Sequence, residues 1–191
     1  MKIEPLGIDG AFLCTSEIFT DSRGYVFEWF QNRELLKFTN RRFSVSQANL
    51  SMSTQGTIRG IHFSLIEGGQ SKWVHCVSGS IRDVIVDIRP NSPTYKKWIS
   101  VDLVGGEGKS IFIEGNLGHG FLALENHSFV SYLLNTKYSP ENEYAINPLD
   151  PALNINWFLG TKIKIPIISD KDQRAYGIEK MSKLNLLPRL V

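Results

Sequence analysis

Between Phe43 and Leu134 the chain is a succession of short β-forming runs, each cut off by residues that turn the backbone. FSVSQANLSMS (Phe43 to Ser53), SKWVHCV (Ser71 to Val77), SIRDVIVDIR (Ser80 to Arg89) and KWISVDL (Lys97 to Leu103) come first. SIFI (Ser110 to Ile113), GFLAL (Gly120 to Leu124) and FVSYLL (Phe129 to Leu134) follow. The breaks fall at Ser78-Gly79, Pro90 to Pro93, Gly105-Gly106 and Glu125-Asn126. β-Branched and aromatic side chains suit a pleated, half-buried surface, whereas Gly, Pro and Asn supply the dihedrals of tight turns. Many short strands at close spacing with few helices predict a sandwich or a barrel. Only Gln31 to Phe38 and Asp170 to Lys180 read as helices, and Gly177 weakens the second. The expected fold is all-β.

Length supports one domain over residues 1–191, since no repeat, linker or low-complexity tract divides the chain. A core of that size needs no covalent staple. The 21 Lys and Arg against 19 Asp and Glu leave a net charge of +2. That excess is too small for a chain whose main partner is nucleic acid, although a local anion pocket stays open. Cys14 and Cys76 make neither a disulfide framework nor a zinc site, so free thiols are expected. The N-terminus has no apolar leader, and no stretch approaches 18 uninterrupted apolar residues. A cytoplasmic protein without membrane partners is expected.

Strand parity directs the search for chemistry. Lys72, Val74 and Cys76 share one face of their strand, and Trp73, His75 and Val77 the other. In the next strand Asp83 and Asp87 lie with Ile81, Ile85 and Arg89. If that face is the inner one, each carboxylate must meet a cation or donors, with Lys72 a candidate partner. The densest polar cluster is TIRGIHFSLIEGGQSK, Thr57 to Lys72, which holds Arg59 and His62. Those two have opposite parity, and a bulge at Gly60 would bring them to one side. A second cluster, IEGNLGHGF (Ile113 to Phe121), sets His119 between glycines. His75 and His127 lack such neighbourhoods and are expected to be structural.

The spacing Gly56 to His62 and Gly108 to His119 is similar to that of the two cupin motifs, which build double-sheet jelly rolls. However, Ser64 stands where a metal-binding cupin has its second histidine, and Gly68 or Gly69 where it has its acid. Two imidazoles alone would hold a transition metal weakly, so no metal and no cofactor are expected.

The order of Asp21-Ser-Arg23-Gly24, Gln47-Ala-Asn49, Arg59-Gly-Ile-His62-Phe63, Gln70-Ser-Lys72 and Asp83 to Arg89 carries a wider resemblance. It continues through Ser92-Pro93-Thr94, His119-Gly-Phe121, Tyr132, Tyr138-Ser-Pro140, Asp150-Pro151, Ile155-Asn-Trp157 and Ser169-Asp-Lys-Asp172. Over about residues 3 to 188 the chain resembles the dTDP-4-dehydrorhamnose 3,5-epimerase family, with its related 3- or 5-epimerases of deoxysugar pathways. The resemblance implies a metal-free, cupin-type jelly roll with a few short peripheral helices, acting as a homodimer. Its substrate would be a nucleotide-linked 4-keto-6-deoxyhexose, inverted at C3, C5 or both. His62 matches the family's base, Asp172 the carboxylate that orients it, Tyr132 the acid on the opposite face and Lys72 the cation near the C4 oxygen. Arg23, Glu28, Gln47, Asn49, Arg59, His119 and Tyr138 match substrate-holding positions, some of them expected from a second subunit.

Elementary chemistry agrees. Protons on C3 and C5 flank the ketone and leave if the enolate is stabilised. Their removal calls for a base near neutral pKa, for which imidazole is suited, and a carboxylate on its other nitrogen fixes the tautomer. The enolate oxygen needs a preorganised donor, which Lys72 or His119 could supply, and inversion needs a second proton donor across the ring. Val26, Ser64, Phe158 and the Glu114-Gly115-Asn116 stretch depart from the usual family pattern and bear on which carbon is inverted. The competing readings are a sugar-nucleotide 3,4-ketoisomerase and a non-catalytic sugar-binding cupin.

Overall fold

The computed structural model describes residues 1–40 and 42–190. Its frame is two antiparallel sheets laid face to face. One carries β1 (Lys2–Pro5), β2 (Ala11–Thr15), β10 (Lys109–Ile113), β7 (Lys72–Ser78), β12 (Ser128–Leu134) and β5 (Gln47–Ser53), in that order. The facing sheet runs β13 (Glu143–Ala145), β6 (Thr57–Ser64), β11 (Gly118–Ala123), β8 (Ser80–Val86) and β9 (Trp98–Val104). The short β14 (Ile167–Ile168) pairs parallel with the beginning of β6, and β3 (Phe19–Asp21) and β4 (Gly24–Val26) form a separate hairpin. The expected jelly roll is what forms.

Three apolar clusters follow from strand parity. Val74, Cys76 and Ile111 of the first sheet meet Ile81, Ile85, Leu103 and Phe121 of the second in the space between the sheets. Val84, Val86 and Ile88, of the opposite parity, face outward. There they are covered by the C-terminal segment through Leu153, Trp157, Ile178 and Met181. Trp73 and Phe112 face outward from the first sheet and are covered by Leu35 and Phe43. This double cover explains why β7 and β8 are buried on both sides and lack a polar alternation.

The helical expectations need adjustment. α1 runs Asn32–Thr39 and ends on Asn40 in the left-handed conformation, close to the expected range. The second helix is two pieces, α2 (Asp170–Gln173) and α3 (Ile178–Lys183), separated at Gly177. A Cβ on Gly177 would sit 2.8 Å from the Asp150 carboxylate, which accepts the backbone N–H of Ile178 at 2.6 Å. The Phe43 to Ser53 run becomes strand only from Gln47, and the Ser80 to Arg89 run leaves the ladder after Val86. β1, β2, β13 and β14 lie in stretches not read as strands, because each is short and pairs at or near a sheet edge.

The bulge at Gly60 is present. Between the pairs His119↔His62 and Phe121↔Arg59, β6 advances three residues while β11 advances two. Ile58, Ile61 and Phe63 therefore all pack outward, and Arg59 and His62 both reach the inner side. Gly60 has φ +127°, and a Cβ there would fall 2.5 Å from the Gly120 Cα and 2.7 Å from the His119 carbonyl oxygen. Gly60→Ala is expected to cost about 1–3 kcal/mol and to lower the thermal midpoint, since both backbone conformation and space oppose it. Calorimetry of the purified variant checks this.

Candidate active site

A cavity of about 530 Å³ opens between the two sheets. His62 and Arg59 enter it from β6, His119 and Phe121 from β11, Lys72 from β7 and Tyr132 from β12. Asp172 and Lys171 of α2 close its rim. A smaller recess of about 210 Å³ shares His62, Lys72, Tyr132 and Lys171, and adds Gln47, Asn49, Tyr138 and Glu143. The imidazole of His62 and the phenol of Tyr132 thus belong to opposing sheets and line one space.

His62 is half-buried, and its Nε2 lies 2.8 Å from Asp172 Oδ1. Asp172 is held from behind: Ser169 caps α2, its Oγ accepting the Asp172 backbone N–H at 3.2 Å. Burial pushes the Asp172 carboxyl up. The bond and charge of His62, with the Gly60 N–H and the Ser169 hydroxyl, outweigh it and hold the group below its ordinary value. A carboxylate on Nε2 keeps the proton there and leaves Nδ1 as the basic nitrogen. β13 and β14 pair with opposite ends of β6 and leave its Gly60 region open, which is where Asp172 approaches.

A second imidazole–carboxylate pair sits deeper. His119 Nε2 lies 2.7 Å from Asp83 Oδ2, with both side chains buried. Burial is the main cause that holds the His119 imidazole below its usual pKa, despite Asp83, and the charges of Lys72 and His62 add to it. Lys72 is also buried, and its Nζ donates to the His62 carbonyl oxygen at 3.4 Å. Burial pushes the Lys72 ammonium down to about 8, against the opposing pull of Glu143 and Asp83. The group keeps its charge at neutral pH and loses it as pH rises through that value.

The other candidates divide. Arg59 lines the cavity and is braced by Ser53 Oγ at 3.1 Å and the Met52 carbonyl oxygen at 3.2 Å. Gln47 Nε2 donates to Asn49 Oδ1 at 2.9 Å, and Gln47 Oε1 accepts the Tyr138 N–H at 2.9 Å, which ties the recess together. Arg23 and Glu28 do not join them. Arg23 sits at the exposed tip of the β3–β4 hairpin in an ion pair with Asp21, and Glu28 accepts from Gln31. Neither lines the cavity or the recess of its own chain.

The expected pairing of Lys72 with Asp83 or Asp87 is not made as a direct ion pair. Asp83 binds His119, and Asp87 binds Arg89 at 2.8 Å through two bonds, with Ser92 and Thr94 at 2.5 Å each. His75 is structural, as expected: it stacks against Trp29, and its Nδ1 is 2.9 Å from the Lys109 carbonyl oxygen. His127 occupies a turn at φ +56°. Both cysteines are free and buried, and burial raises Cys14 to about 12 and Cys76 to about 11. Glu143 and Lys171 were given no role from sequence. Glu143 lies on a three-residue strand with no pattern to mark it, whereas Lys171 sits inside the Ser169 to Asp172 motif. Among the described residues no three His, Cys, Asp or Glu side chains converge as a metal site, and no helix is long and apolar enough to cross a membrane.

A double-sheet jelly roll whose cavity gathers a carboxylate-backed imidazole, a buried ammonium and a facing phenol defines a cupin-type isomerase working by proton transfer. The model of the dTDP-4-dehydrorhamnose 3,5-epimerase family matches residues 5–180. This chain belongs to that family. It is 41% identical over 189 residues to a dTDP-4-dehydrorhamnose 3,5-epimerase of Mycobacterium tuberculosis, covering 99% of this chain and 93% of the relative. A solved M. tuberculosis epimerase superposes with a TM-score of 0.95 at 41% identity, over 99% of this chain and 94% of the other. A 3'-monoepimerase from Streptomyces bikiniensis, solved in complex with dTDP-quinovose, gives a TM-score of 0.91 at 36% identity, over 97% and 92% of the two chains.

Proposed function

We propose that this chain inverts C3, C5 or both in a dTDP-linked 4-keto-6-deoxyhexose, as one jelly-roll unit working as a homodimer in the cytoplasm. The observation that carries the reading is the placement of His62 and Tyr132 on opposing sheets around one cavity. His62 Nδ1 takes the proton α to the ketone, and the C–H electrons move onto the C4 oxygen. Tyr132 then delivers a proton to the other face of the ring, which inverts the carbon. Lys72 is the donor for the enolate oxygen in this reading. His119 is a poor candidate, because its Nε2 proton goes to Asp83 and neutral imidazole leaves Nδ1 as an acceptor. An acceptor there suits a sugar hydroxyl. Arg59 meets the diphosphate as a planar guanidinium.

The homodimer accounts for Arg23 and Glu28. Phe19, Tyr25 and Val26 of the hairpin are exposed, as are Leu50 and Met52 on the edge strand β5. Apolar residues left open on a hairpin and an unpaired sheet edge suit a second copy, into whose cavity the hairpin would carry Arg23 and Glu28.

The test is incubation with dTDP-4-keto-6-deoxyglucose in D2O, read by NMR, with and without EDTA. Deuterium at C3 and C5 is expected for double inversion, and at one carbon for a single epimerase; EDTA leaves the rate unchanged. No deuterium, or a carbonyl moved to C3, overturns the reading. Tyr132→Phe is expected to lower formation of inverted sugar at least tenfold more than it lowers deuterium exchange, because the base remains. Equal losses would remove Tyr132 as the opposing acid.

A further inference from the structure

The reaction described above uses Lys72 and leaves Asp83 without a part, although Asp83 is fully buried and its charge is felt by Lys72. It lies on β8 opposite Phe121 of β11, on the face that looks into the space between the sheets. Its Oδ2 holds His119 Nε2 at 2.7 Å, while its Oδ1 is buried with no hydrogen-bond partner. A buried carboxylate oxygen left without a bond costs stability and asks for a reason. Its charge acts through space on Lys72, a buried ammonium with three donors that makes a long bond to the His62 carbonyl oxygen.

We propose that Asp83 is a positioning residue for the enolate site: it fixes the His119 ring through Nε2 and, by its charge, keeps Lys72 an ammonium. The inference rests on the epimerase reading for its kinetic consequence; the electrostatic one follows from the burial of both side chains and the pull of Asp83 on Lys72. The titratable groups around Lys72 are His62 of β6, Asp83 of β8, His119 of β11, Tyr132 of β12, Glu143 of β13 and Lys171 of α2. Asp83 and Glu143 are the anions among them that favour the charged lysine. Glu143 is half-buried and shares its Oε1 with Gln70 Nε2 at 3.3 Å, whereas Asp83 is sealed from water and poorly screened. Removing one anion from a buried ammonium makes its proton easier to lose.

The experiment compares the full-length chain with Asp83→Asn. Lys72 is followed by NMR of 13Cε-labelled lysine without substrate, and kcat and KM are followed against pH. In the parent chain Lys72 is expected to titrate near 8, and the rate to fall above that pH. In Asp83→Asn both the titration and the alkaline fall are expected to move down by about one pH unit. At pH 8 kcat drops about fivefold with KM within threefold, since the ammonium fraction falls from about one half to about one in eleven. An unmoved Lys72 titration overturns the proposal. Should the parent chain exchange no deuterium, the epimerase reading fails while the substrate-free titration still judges Asp83. If Asp83→Asn does not fold, 15N NMR of His119 in the parent chain decides: a proton on Nε2 supports the arrangement, and one on Nδ1 overturns it.

Discussion

His62→Ala is expected to stop deuterium entry at every carbon, with a fall of about 10²–10⁴ in exchange rate, the range for a positioned general base. The loss falls on proton abstraction itself, so substrate binding, measured by calorimetric titration, should change far less. Asp172→Asn provides the finer test. An amide whose NH2 faces Nε2 would force the imidazole proton onto Nδ1, where it blocks the base without removing the ring. The asparagine variant should therefore approach the alanine variant in rate while keeping the cavity shape. Exchange that survives His62→Ala within tenfold of the parent would mean that another group takes the proton.

The second large effect falls on stability rather than rate. Asp87 is fully buried and its carboxylate accepts from the Arg89 backbone N–H at 3.1 Å, from the Arg89 guanidinium and from the hydroxyls of Ser92 and Thr94. Burial pushes this carboxyl up, but those donors outweigh it and hold it below its ordinary value of 3.8. Asp87→Ala would strand a guanidinium that is itself almost wholly buried. About 3–5 kcal/mol should be lost, and the thermal midpoint should fall by about 10 °C. Asp87 lines neither the cavity nor the recess, so the surviving folded fraction should keep its specific activity. The sign with pH follows from the depressed value. The contribution of Asp87 is complete above the unfolded carboxylate's pKa, and is lost as pH falls through the lower folded one. Acid melting curves of the parent and the variant should therefore draw together as pH falls below the ordinary carboxylate value of 3.8.

Strand parity was legible in the sequence where both covers of a strand were apolar, and misleading where they were not. Lys72, Val74 and Cys76 do point inward together, and Asp83 and Ile85 meet them from the opposite sheet. Arg59 and His62 looked incompatible until a bulge was allowed, and the glycine between them marked its place. The partners of the carboxylates were not legible. Asp83 takes His119 from a strand that is its neighbour only in space, and Asp87 takes Arg89 where the chain has already left the ladder. Family resemblance supplied Asp172, 110 positions from His62, a distance no periodicity spans. Glu143 stayed hidden for the opposite reason, since a three-residue edge strand has no period to read.

The remoteness of Asp172 has a consequence for how the molecule becomes active. Every strand of the two sheets up to β13 lies before residue 146, whereas the carboxylate that orients His62 arrives on α2, beyond the loops that cover the outer face of β6 and β8. A nascent chain could lay down most of its scaffold and remain idle until that last cover docks. Loosening that cover at Leu153, Trp157 or Met181 is therefore expected to weaken the hold of Asp172 on His62.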